Sequence, residues 1–289
     1  MITRRQWIAG IAGAALAGVT ADAFAIEPDR LEVTRHHVGV AGGPMARIIQ
    51  LTDLHLQSVG RHEERIASAV AALHPDLILI TGDSIDRADR LGVLDDFLSL
   101  LDAPTPKLAI LGNWGHWARV DLTELARIYA EHDCRLLRNE STEFHLGDTT
   151  LLITGLDDLV GGTPDLRAAI AGATPQPNHL LLAHCPLHRD LVRADARAIM
   201  SGAASEMGHI DVRLLAPQLM LAGHTHGGQI APFGWAPFVP PGSGRYVRGW
   251  YRNNPIPLYV SRGLGTSTVH ARLGSVPEVA YFEWGLAAP

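Results

Sequence analysis

Cysteine is scarce in this sequence, which has only Cys134 and Cys185 among its 289 residues. Two cysteines cannot build the disulfide framework of a small secreted scaffold, and they can form at most one bridge. Because 47% of the residues are hydrophobic, a chain of this length can bury a full core without such a framework. We therefore expect both cysteines to be unpaired, buried side chains.

An excess of basic charge is also missing. Lysine and arginine number 24 against 30 aspartates and glutamates, which gives a formal net charge of −6. A protein that binds nucleic acid usually carries a basic surface, so we expect no nucleic-acid partner. We see no internal repeat and no break in composition after residue 30. The sequence predicts one domain at residues 26–289.

The apolar run at residues 7–19 is shorter than the ~20 residues that a helix needs to cross a bilayer. It follows Arg4 and Arg5 and precedes Ala23-Phe24-Ala25, which is the order of a signal peptide with an A-x-A cleavage site. The adjacent arginines resemble the twin-arginine signal, so residues 1–25 predict export by that machinery to the periplasm or the outer face of the cytoplasmic membrane. An uncleaved tether and an ordinary secretory signal are the alternatives.

Apolar, β-branched runs alternate with amphipathic stretches along the mature chain. Buried strands are predicted at residues 46–51, 77–81, 107–111, 151–154, 179–183 and 219–222. Helices are predicted at residues 63–73, 93–101 and 122–132, the last with Asp121 and Glu124 in capping-box spacing, and Thr163-Pro164 opens a short helix before Ile170. The pattern predicts a layered α/β fold.

Carboxylate, amide and imidazole side chains follow the ends of these strands. The set is Asp53, His55, Asp83, Asn113, His184, His224 and His226. Since the carboxyl ends of strands share one crevice in an open α/β sheet, we expect the seven side chains to converge. A set without a thiolate suits divalent Mn, Fe, Zn or Ni, and seven ligands exceed what one ion needs. We expect two ions, manganese first, with Asp83 as the bridge.

The ordered set resembles the signature of calcineurin-like metallophosphoesterases over roughly residues 45–230. The motifs are Asp53-Leu54-His55, Gly82-Asp83-x-x-Asp86, Gly112-Asn113, His184 and Gly223-His224-Thr225-His226. Downstream segments resemble the family's exported branch of bacterial phosphodiesterases: Gly227-Gly228-Gln229, Arg245-Tyr246-x-x-Gly249 and Ser261-Arg262-Gly263-Leu264-Gly265.

The resemblance implies a four-layer α-β-β-α sandwich of two mixed β-sheets flanked by helices. It also implies which residues hold each ion. One ion would be held by Asp53, His55, Asp83 and His226, and the other by Asp83, Asn113, His184 and His224.

The sequence departs from the family pattern at Trp114, where the family has a histidine that stabilises or protonates the leaving group. Three hypotheses follow. His116 takes that role, the leaving group needs no proton, or activity is lost and only metal binding remains. A leaving group from a pyrophosphate bond departs without a general acid, whereas an alkoxide does not, so Trp114 favours anhydrides. Asp86 and His188 are candidates for supporting the ligands.

The expected activity is hydrolysis of a phosphodiester by a hydroxide that bridges two metals, with Asp83, Asn113 and His116 as the catalytic residues. The substrate would be a phosphorylated small molecule or a lipid-linked one. Phe233, Trp235 and Phe238 are expected either to pack a pocket wall or to contact a membrane surface. The alternatives are a pyrophosphohydrolase resembling UDP-2,3-diacylglucosamine hydrolases and a degenerate metal-binding protein. Residues 187–218 are expected to be a lid or a peripheral helix.

Overall fold

Two mixed β-sheets form the centre of the protein. The computed structural model describes residues 3–101, 104–192, 211–253 and 256–288, and within them each sheet has six strands. The first sheet contains β1 (Glu32–Gly39), β2 (Met45–Leu51), β3 (Leu77–Thr81), β4 (Lys107–Ile110), β5 (Cys134–Leu137) and β12 (Glu278–Gly285). The second contains β6 (Glu140–Leu146), β7 (Thr149–Gly155), β8 (Asn178–Leu182), β9 (Leu219–Ala222), β10 (Gly249–Tyr251) and β11 (Leu258–Val260).

The strand order places the predicted strands side by side. The first sheet runs β1-β12-β2-β3-β4-β5, and the second runs β10-β11-β9-β8-β7-β6. Within each sheet, β2, β3 and β4, and likewise β7, β8 and β9, are parallel neighbours. The carboxyl ends of each trio therefore lie along one edge of its sheet.

Helices cover the outer faces of both sheets. They are α2 (Arg61–Leu73), α3 (Leu91–Leu100), α4 (Asn113–Trp117), α5 (Leu122–Glu131) and α6 (Leu166–Ile170), after an amino-terminal α1 (Arg4–Ala21). Asp121 caps α5 by accepting hydrogen bonds from the Thr123 and Glu124 backbone N–H groups. Helix α6 begins later than Thr163-Pro164 predicted, because the Asp165 carboxylate caps it through the Ala168 N–H.

The cores confirm the four-layer sandwich. Ile48 and Leu79 of the first sheet pack in one buried cluster with Ile153 and Leu221 of the second. A second cluster joins the outer face of the first sheet to α2, α3 and α5, and a third joins the second sheet to α6. Each fully buried aliphatic side chain contributes roughly 1.5–3 kcal/mol. Cys134 and Cys185 are buried and unpaired, as predicted.

The amino-terminal helix extends beyond the apolar run at both ends. Helix α1 continues through a π-helical turn at Asp22–Ile26, so Arg4–Ile26 is 23 residues long and, by length and composition, able to cross a membrane. The helix is therefore longer than the apolar run alone, and its length does not exclude a membrane span. A signal sequence passes the same test, so the helix is a signal or an anchor. The predicted lid or helix at residues 187–218 lies largely outside the described residues.

Candidate metal centre

The loops that follow the parallel strands are joined to one another by backbone hydrogen bonds. Asp53 N donates to Gly82 O at 3.1 Å, and His55 N donates to Asp83 O at 3.0 Å, which ties the loop after β2 to the loop after β3. In the second sheet, Gly223 N donates to His184 O at 3.0 Å. The ligand-bearing loops of each sheet are thus fixed relative to their neighbours.

The backbone at most of the predicted ligands is strained. Five of the seven have a positive φ: Asp53 at 52°, His55 at 44°, Asp83 at 50°, His224 at 73° and His226 at 51°. Residues with a Cβ rarely adopt this left-handed region, and such conformations cost of order 1–3 kcal/mol each. Strain of this kind is concentrated at functional sites, because the surrounding structure must hold it in place.

Two of the motif glycines are required by close approach to a ligand. A Cβ on Gly112 would overlap the Asp83 carboxylate, and a Cβ on Gly223 would overlap the side chains of Thr52 and Asp53. The glycines in Gly112-Asn113 and Gly223-His224 therefore make room for the carboxylates beside them.

The first candidate metal-binding group consists of Asp53, His55 and His226, all buried. His55 Nε2 and His226 Nε2 lie 3.1 Å apart, and His226 Nε2 lies 3.5 Å from Asp53 Oδ1. Burial lowers the pKa of His226 to about 3, although the Asp53 carboxylate opposes this. The imidazole is therefore neutral near pH 7, which is the form that binds a metal.

The second candidate group consists of Asp83, His184 and His224, again all buried. His184 Nδ1 lies 2.9 Å from Thr81 O, and His224 Nε2 lies 2.6 Å from Pro241 O. Because a carbonyl only accepts, these nitrogens carry protons, and His184 Nε2 and His224 Nδ1 are the ring atoms left to face a metal. Orientation of ligand imidazoles by a second hydrogen bond is typical of metal sites.

Asp83 lies between the two groups. Its Oδ2 is 3.1 Å from His184 Nε2 and 3.8 Å from His55 Nε2, while its Oδ1 accepts the Trp114 backbone N–H at 2.9 Å. Burial raises the pKa of Asp83, but His184 and His55 outweigh it and hold the pKa well below its usual range. Burial likewise lowers the pKa of His184, but Asp83 raises it to about 10. Without a metal, the protonated His184 thus pairs with the Asp83 carboxylate, and a metal ion bound there would take the place of that proton.

Asn113 completes the set of seven. It begins α4, is buried, and its Oδ1 has no hydrogen-bond partner within the described residues. An unpaired buried carbonyl oxygen costs about 1–3 kcal/mol unless something else satisfies it. This orphaned oxygen and the two buried groups of donors fit two divalent ions, the number that the sequence predicted.

A cavity of about 410 Å³ opens over the centre. Its polar wall contains Asp83, Asn113, His224 and His226. Its apolar wall is formed by Trp114, Trp117, Ile230, Phe238 and Val239. Predicted metal ligands and aromatic side chains thus line the same cavity.

His116 does not line this cavity. Its Nε2 lies 2.7 Å from Oδ1 of the buried Asp157, and its side chain packs against Gly161 and Gly162. Asp157 also accepts a hydrogen bond from Arg138 Nε at 3.0 Å. Trp114 occupies the cavity side of the same helix, with its ring edge-on to His55. The structure therefore holds His116 behind the site, against the loop that follows β7.

The two candidate supporting residues are placed differently from the ligands. Asp86 Oδ1 accepts a hydrogen bond from Gln57 Nε2 at 2.7 Å. His188 is buried, and neither of its ring nitrogens has a hydrogen-bond partner among the described residues. Burial lowers the pKa of His188 to about 4. Neither residue orients a predicted ligand through a hydrogen bond in the described part of the chain.

Known proteins that resemble this chain are metallophosphoesterases, which agrees with the two candidate metal-binding groups. The family model described as "Calcineurin-like phosphoesterase" matches residues 46–228, a range that includes all seven predicted ligands. The chain belongs to this family. The calcineurin-like phosphoesterases depend on two metals, and the two candidate groups of this phosphoesterase are placed accordingly.

Relatives cover almost the whole chain. The uncharacterized metallophosphoesterase YkuE of Bacillus subtilis (strain 168) is 30% identical over 299 residues, covering 97% of this chain and 97% of its own. Phosphodiesterase YaeI of Escherichia coli (strain K12) is 28% identical, covering 98% of this chain and 99% of its own. A crystal structure of a 5'-nucleotidase precursor from Thermus thermophilus superimposes with a TM-score of 0.47 at 13% identity, over 84% of this chain and 55% of that one.

Sequence reasoning missed the groups that support the ligands of this phosphoesterase. Arg272 is fully buried, and its guanidinium donates to the backbone carbonyls of Arg262, Gly265 and Ser275. Ser275 Oγ in turn donates to the His226 carbonyl at 2.6 Å. Asp157 and Asp158 follow the end of β7, and that position was the one signal available for them. Arg272 carries no comparable signal, because only tertiary packing buries it.

Proposed function

We propose that this protein is a two-metal phosphodiesterase. The observation that carries the proposal is the position of Asp83, whose Oδ2 faces His184 of one candidate group at 3.1 Å and His55 of the other at 3.8 Å. A carboxylate placed between two imidazole-rich groups is suited to bridge two cations, because its charge offsets their repulsion. The relative YaeI is named a phosphodiesterase, which supports the same reaction class.

The roles of the side chains follow from the two buried groups and from the family's pattern. Asp53, His55, Asp83 and His226 would hold one ion, and Asp83, Asn113, His184 and His224 the other, with manganese as our first choice. Ions bound there would supply an activated water near neutral pH and would neutralise charge on the phosphoryl oxygens. The Trp114 N–H and the His224 N–H orient the Asp83 and Asp53 carboxylates for this purpose.

This chain departs from its family's pattern at Trp114, the position of the residue that would act on the leaving group. An indole at position 114 faces the cavity, and it has no titratable proton to give. His116 would have to break its 2.7 Å contact with Asp157 to reach a substrate. We therefore propose that the natural substrate has a leaving group acidic enough to depart unprotonated.

This feature favours a second candidate reaction, the hydrolysis of a pyrophosphate bond in a nucleotide linked to a lipid or sugar. A phosphate leaving group is more acidic than an alkoxide, so it suits a site without a general acid. The apolar wall of Trp117, Ile230 and Phe238 is suited to an organic substituent on a phosphorylated small molecule or a lipid-linked substrate.

For location, we propose export by the twin-arginine route, with the domain in the periplasm or on the outer face of the cytoplasmic membrane. Arg4 and Arg5 precede an apolar helix, which is the order that this route reads. A relative from Danio rerio, 28% identical over 81% of this chain and 52% of its own, is named a transmembrane protein with metallophosphoesterase domain. That name supports membrane attachment for this chain.

The test is hydrolysis of three substrates by the manganese-loaded full-length protein. Bis(p-nitrophenyl) phosphate, p-nitrophenyl phosphate and a UDP-sugar are compared for the wild type and for Asp83→Asn, with the exposed Asp89→Asn as matched control. We expect diester turnover that Asp83→Asn removes and Asp89→Asn keeps. Turnover of the UDP-sugar alone favours the pyrophosphohydrolase, whereas turnover of none, with metal bound, contradicts both enzymes.

A further inference from the structure

Several large apolar side chains are exposed together beside the mouth of the cavity. Phe233 is fully exposed, Trp235 is 70% exposed and Phe238 is 85% exposed, and Ile230 on the cavity wall is partly exposed. We call these four residues the apolar rim. Exposed patches of this kind mark surfaces that contact a partner or a membrane.

Phe233 is exposed at an energetic cost. It lies in the short turn Pro232–Gly234 with a φ of 55°, a conformation that bulky residues rarely adopt. Neither burial nor a local cap explains this strain, since the ring has no cover in the described structure and no side-chain hydrogen bond caps the turn. Strained residues that hold a side chain outward are typical of functional surfaces.

The carboxyl end of the amino-terminal helix lies directly beside the apolar rim. Arg272 N donates to Ala23 O at 2.8 Å, so residues 22–26 pack on the segment around Arg272. The next residue, Leu273, donates to Gln229 O at 2.9 Å and accepts from Ala231 N at 2.7 Å. The helix end and the rim are therefore on two segments that are hydrogen-bonded to each other.

The amino-terminal helix indicates that the surface contacted by the apolar rim is a membrane. Helix α1 has 18 residues before the packed turn and spans about 27 Å at the α-helical rise, close to the ~30 Å hydrocarbon core, and it is almost wholly exposed in the chain alone. If the helix lies in a bilayer, its end at Ala23 marks the bilayer surface, and the hydrogen-bonded segments bring the rim to that surface. Phenylalanine and tryptophan are the side chains favoured at such an interface.

The junction is built to keep the helix attached. Ala23 and Ala25 form the predicted cleavage site, yet Ala23 is buried and the helical turn continues through Ala25, with Glu27 N donating to Asp22 O at 2.8 Å. The Glu27 carboxylate also accepts from Gly274 N at 2.9 Å and from Ser275 N at 2.5 Å. A peptidase that requires an extended segment would first have to unfold this junction.

We propose that the amino-terminal helix is retained after export as a membrane anchor and seats the apolar rim, with the cavity mouth, on the bilayer surface. The inference rests on the proposed function in taking this cavity as the active site, and on the proposed export. Substrates would then reach the site from the headgroup layer of the membrane.

The experiment places a fluorescent probe on the rim of the full-length protein, reconstituted in phosphatidylethanolamine and phosphatidylglycerol vesicles. Phe233→Cys is labelled with an environment-sensitive nitrobenzoxadiazole, and Leu100→Cys is the matched control. Leu100 is exposed and lines a cleft with Arg47 and His74, at the opposite edge of the first sheet. The native Cys134 and Cys185 are buried, so they do not compete for the label.

We expect lipids that carry a nitroxide near the headgroup to quench most of the fluorescence at position 233 and little at position 100. We also expect membrane-recovered protein to keep residues 1–25 by intact mass. Equal quenching at the two positions, burial of the rim in a dimer instead, or a chain that begins at Ile26 would overturn the proposal. Trp235→Cys replaces Phe233→Cys if the first variant misfolds.

Turnover of bis(p-nitrophenyl) phosphate by the same preparations separates the two proposals. Quenching without turnover contradicts the proposed function alone, whereas turnover without selective quenching contradicts the membrane proposal alone.

Discussion

Asp83 Oδ2 lies 3.1 Å from His184 Nε2, although the two residues belong to different sheets and are 101 positions apart in the chain. Asp83 follows β3 of the first sheet and His184 follows β8 of the second, so their contact closes the centre across the sandwich. The candidate metal centre is therefore a product of the packing of both sheets, and changes in either sheet's loops are expected to reach it.

Substitution of Gly223 by alanine is predicted to remove the ion beside Asp53. The new Cβ would overlap Thr52 and Asp53, so the carboxylate must shift from its ligand position. We expect a loss of diester turnover of at least ~100-fold, because misplacing a reacting group by about 1 Å has that effect. Gly92→Ala in α3 meets no atom within 4 Å and is the control, with unchanged turnover and metal content. Full metal occupancy in Gly223→Ala would contradict this prediction.

Substitution of Arg272 by methionine is predicted to weaken both folding and metal binding. Three backbone carbonyls lose their buried donor, which we expect to lower the free energy of unfolding by about 2–4 kcal/mol. Because Ser275 and Gly265 are held near His226 and Asp53, the manganese affinity should fall as well. Urea unfolding and manganese titration measure the two effects. Arg127→Met, on the exposed face of α5, is the control and should leave both the free energy of unfolding and the manganese affinity unchanged.

His116→Ala is predicted to spare catalysis and cost stability. The imidazole is bonded to the buried Asp157, so its loss leaves a carboxylate oxygen without that donor and should lower the free energy of unfolding by about 1–3 kcal/mol. Turnover of a diester whose leaving group is an unactivated alcohol should change by less than about threefold, and that diester is used here because p-nitrophenolate departs without a proton. A fall of ~10²–10⁴, typical of a lost general acid, would show instead that His116 moves to the substrate. His132→Ala, which breaks a similar 2.7 Å pair with Asp95, is the control for stability.

Acidification is predicted to destabilise the protein through His179. Burial lowers its pKa to about 4 from an unfolded value of 6.5, so the unfolded state binds more protons between these values and stability falls as the pH drops through this window. We expect wild type to lose about 2 kcal/mol more than His179→Gln between pH 7 and 4.5. Urea unfolding with chelator present in all samples isolates this group from the metal ligands. His145→Gln, at an exposed position, should behave as wild type does.

The sequence predicted six strands, β2 to β4 and β7 to β9, but neither the edge strands nor the interior strands β11 and β12. Strands such as residues 77–81 are apolar throughout because they are buried on both faces, and their pattern is unmistakable. Strand β1 carries Arg35, His36 and His37 on an edge, and β10 has only three residues, so neither has a strong pattern. These segments are extended because they pair with strands that are distant in the sequence. Their local composition therefore does not predict them.

The same division holds within the site. The ligands could be predicted because each follows a strand end, and parallel strands bring their ends together. The direction in which the His116 side chain points could not be predicted. It lies two residues after Trp114 on a short helix, and that spacing is compatible with either face of the helix. Its actual contact depends on Asp157, which a different sheet supplies.

The central claim is that Asp83 bridges two metal ions, and anomalous diffraction from manganese-loaded crystals tests it most directly. The account predicts two peaks ~3.5–4 Å apart, each within coordinating distance of an Asp83 oxygen, with Asn113, His184 and His224 around one and Asp53, His55 and His226 around the other. A single peak, or two peaks of which Asp83 touches only one, would contradict it.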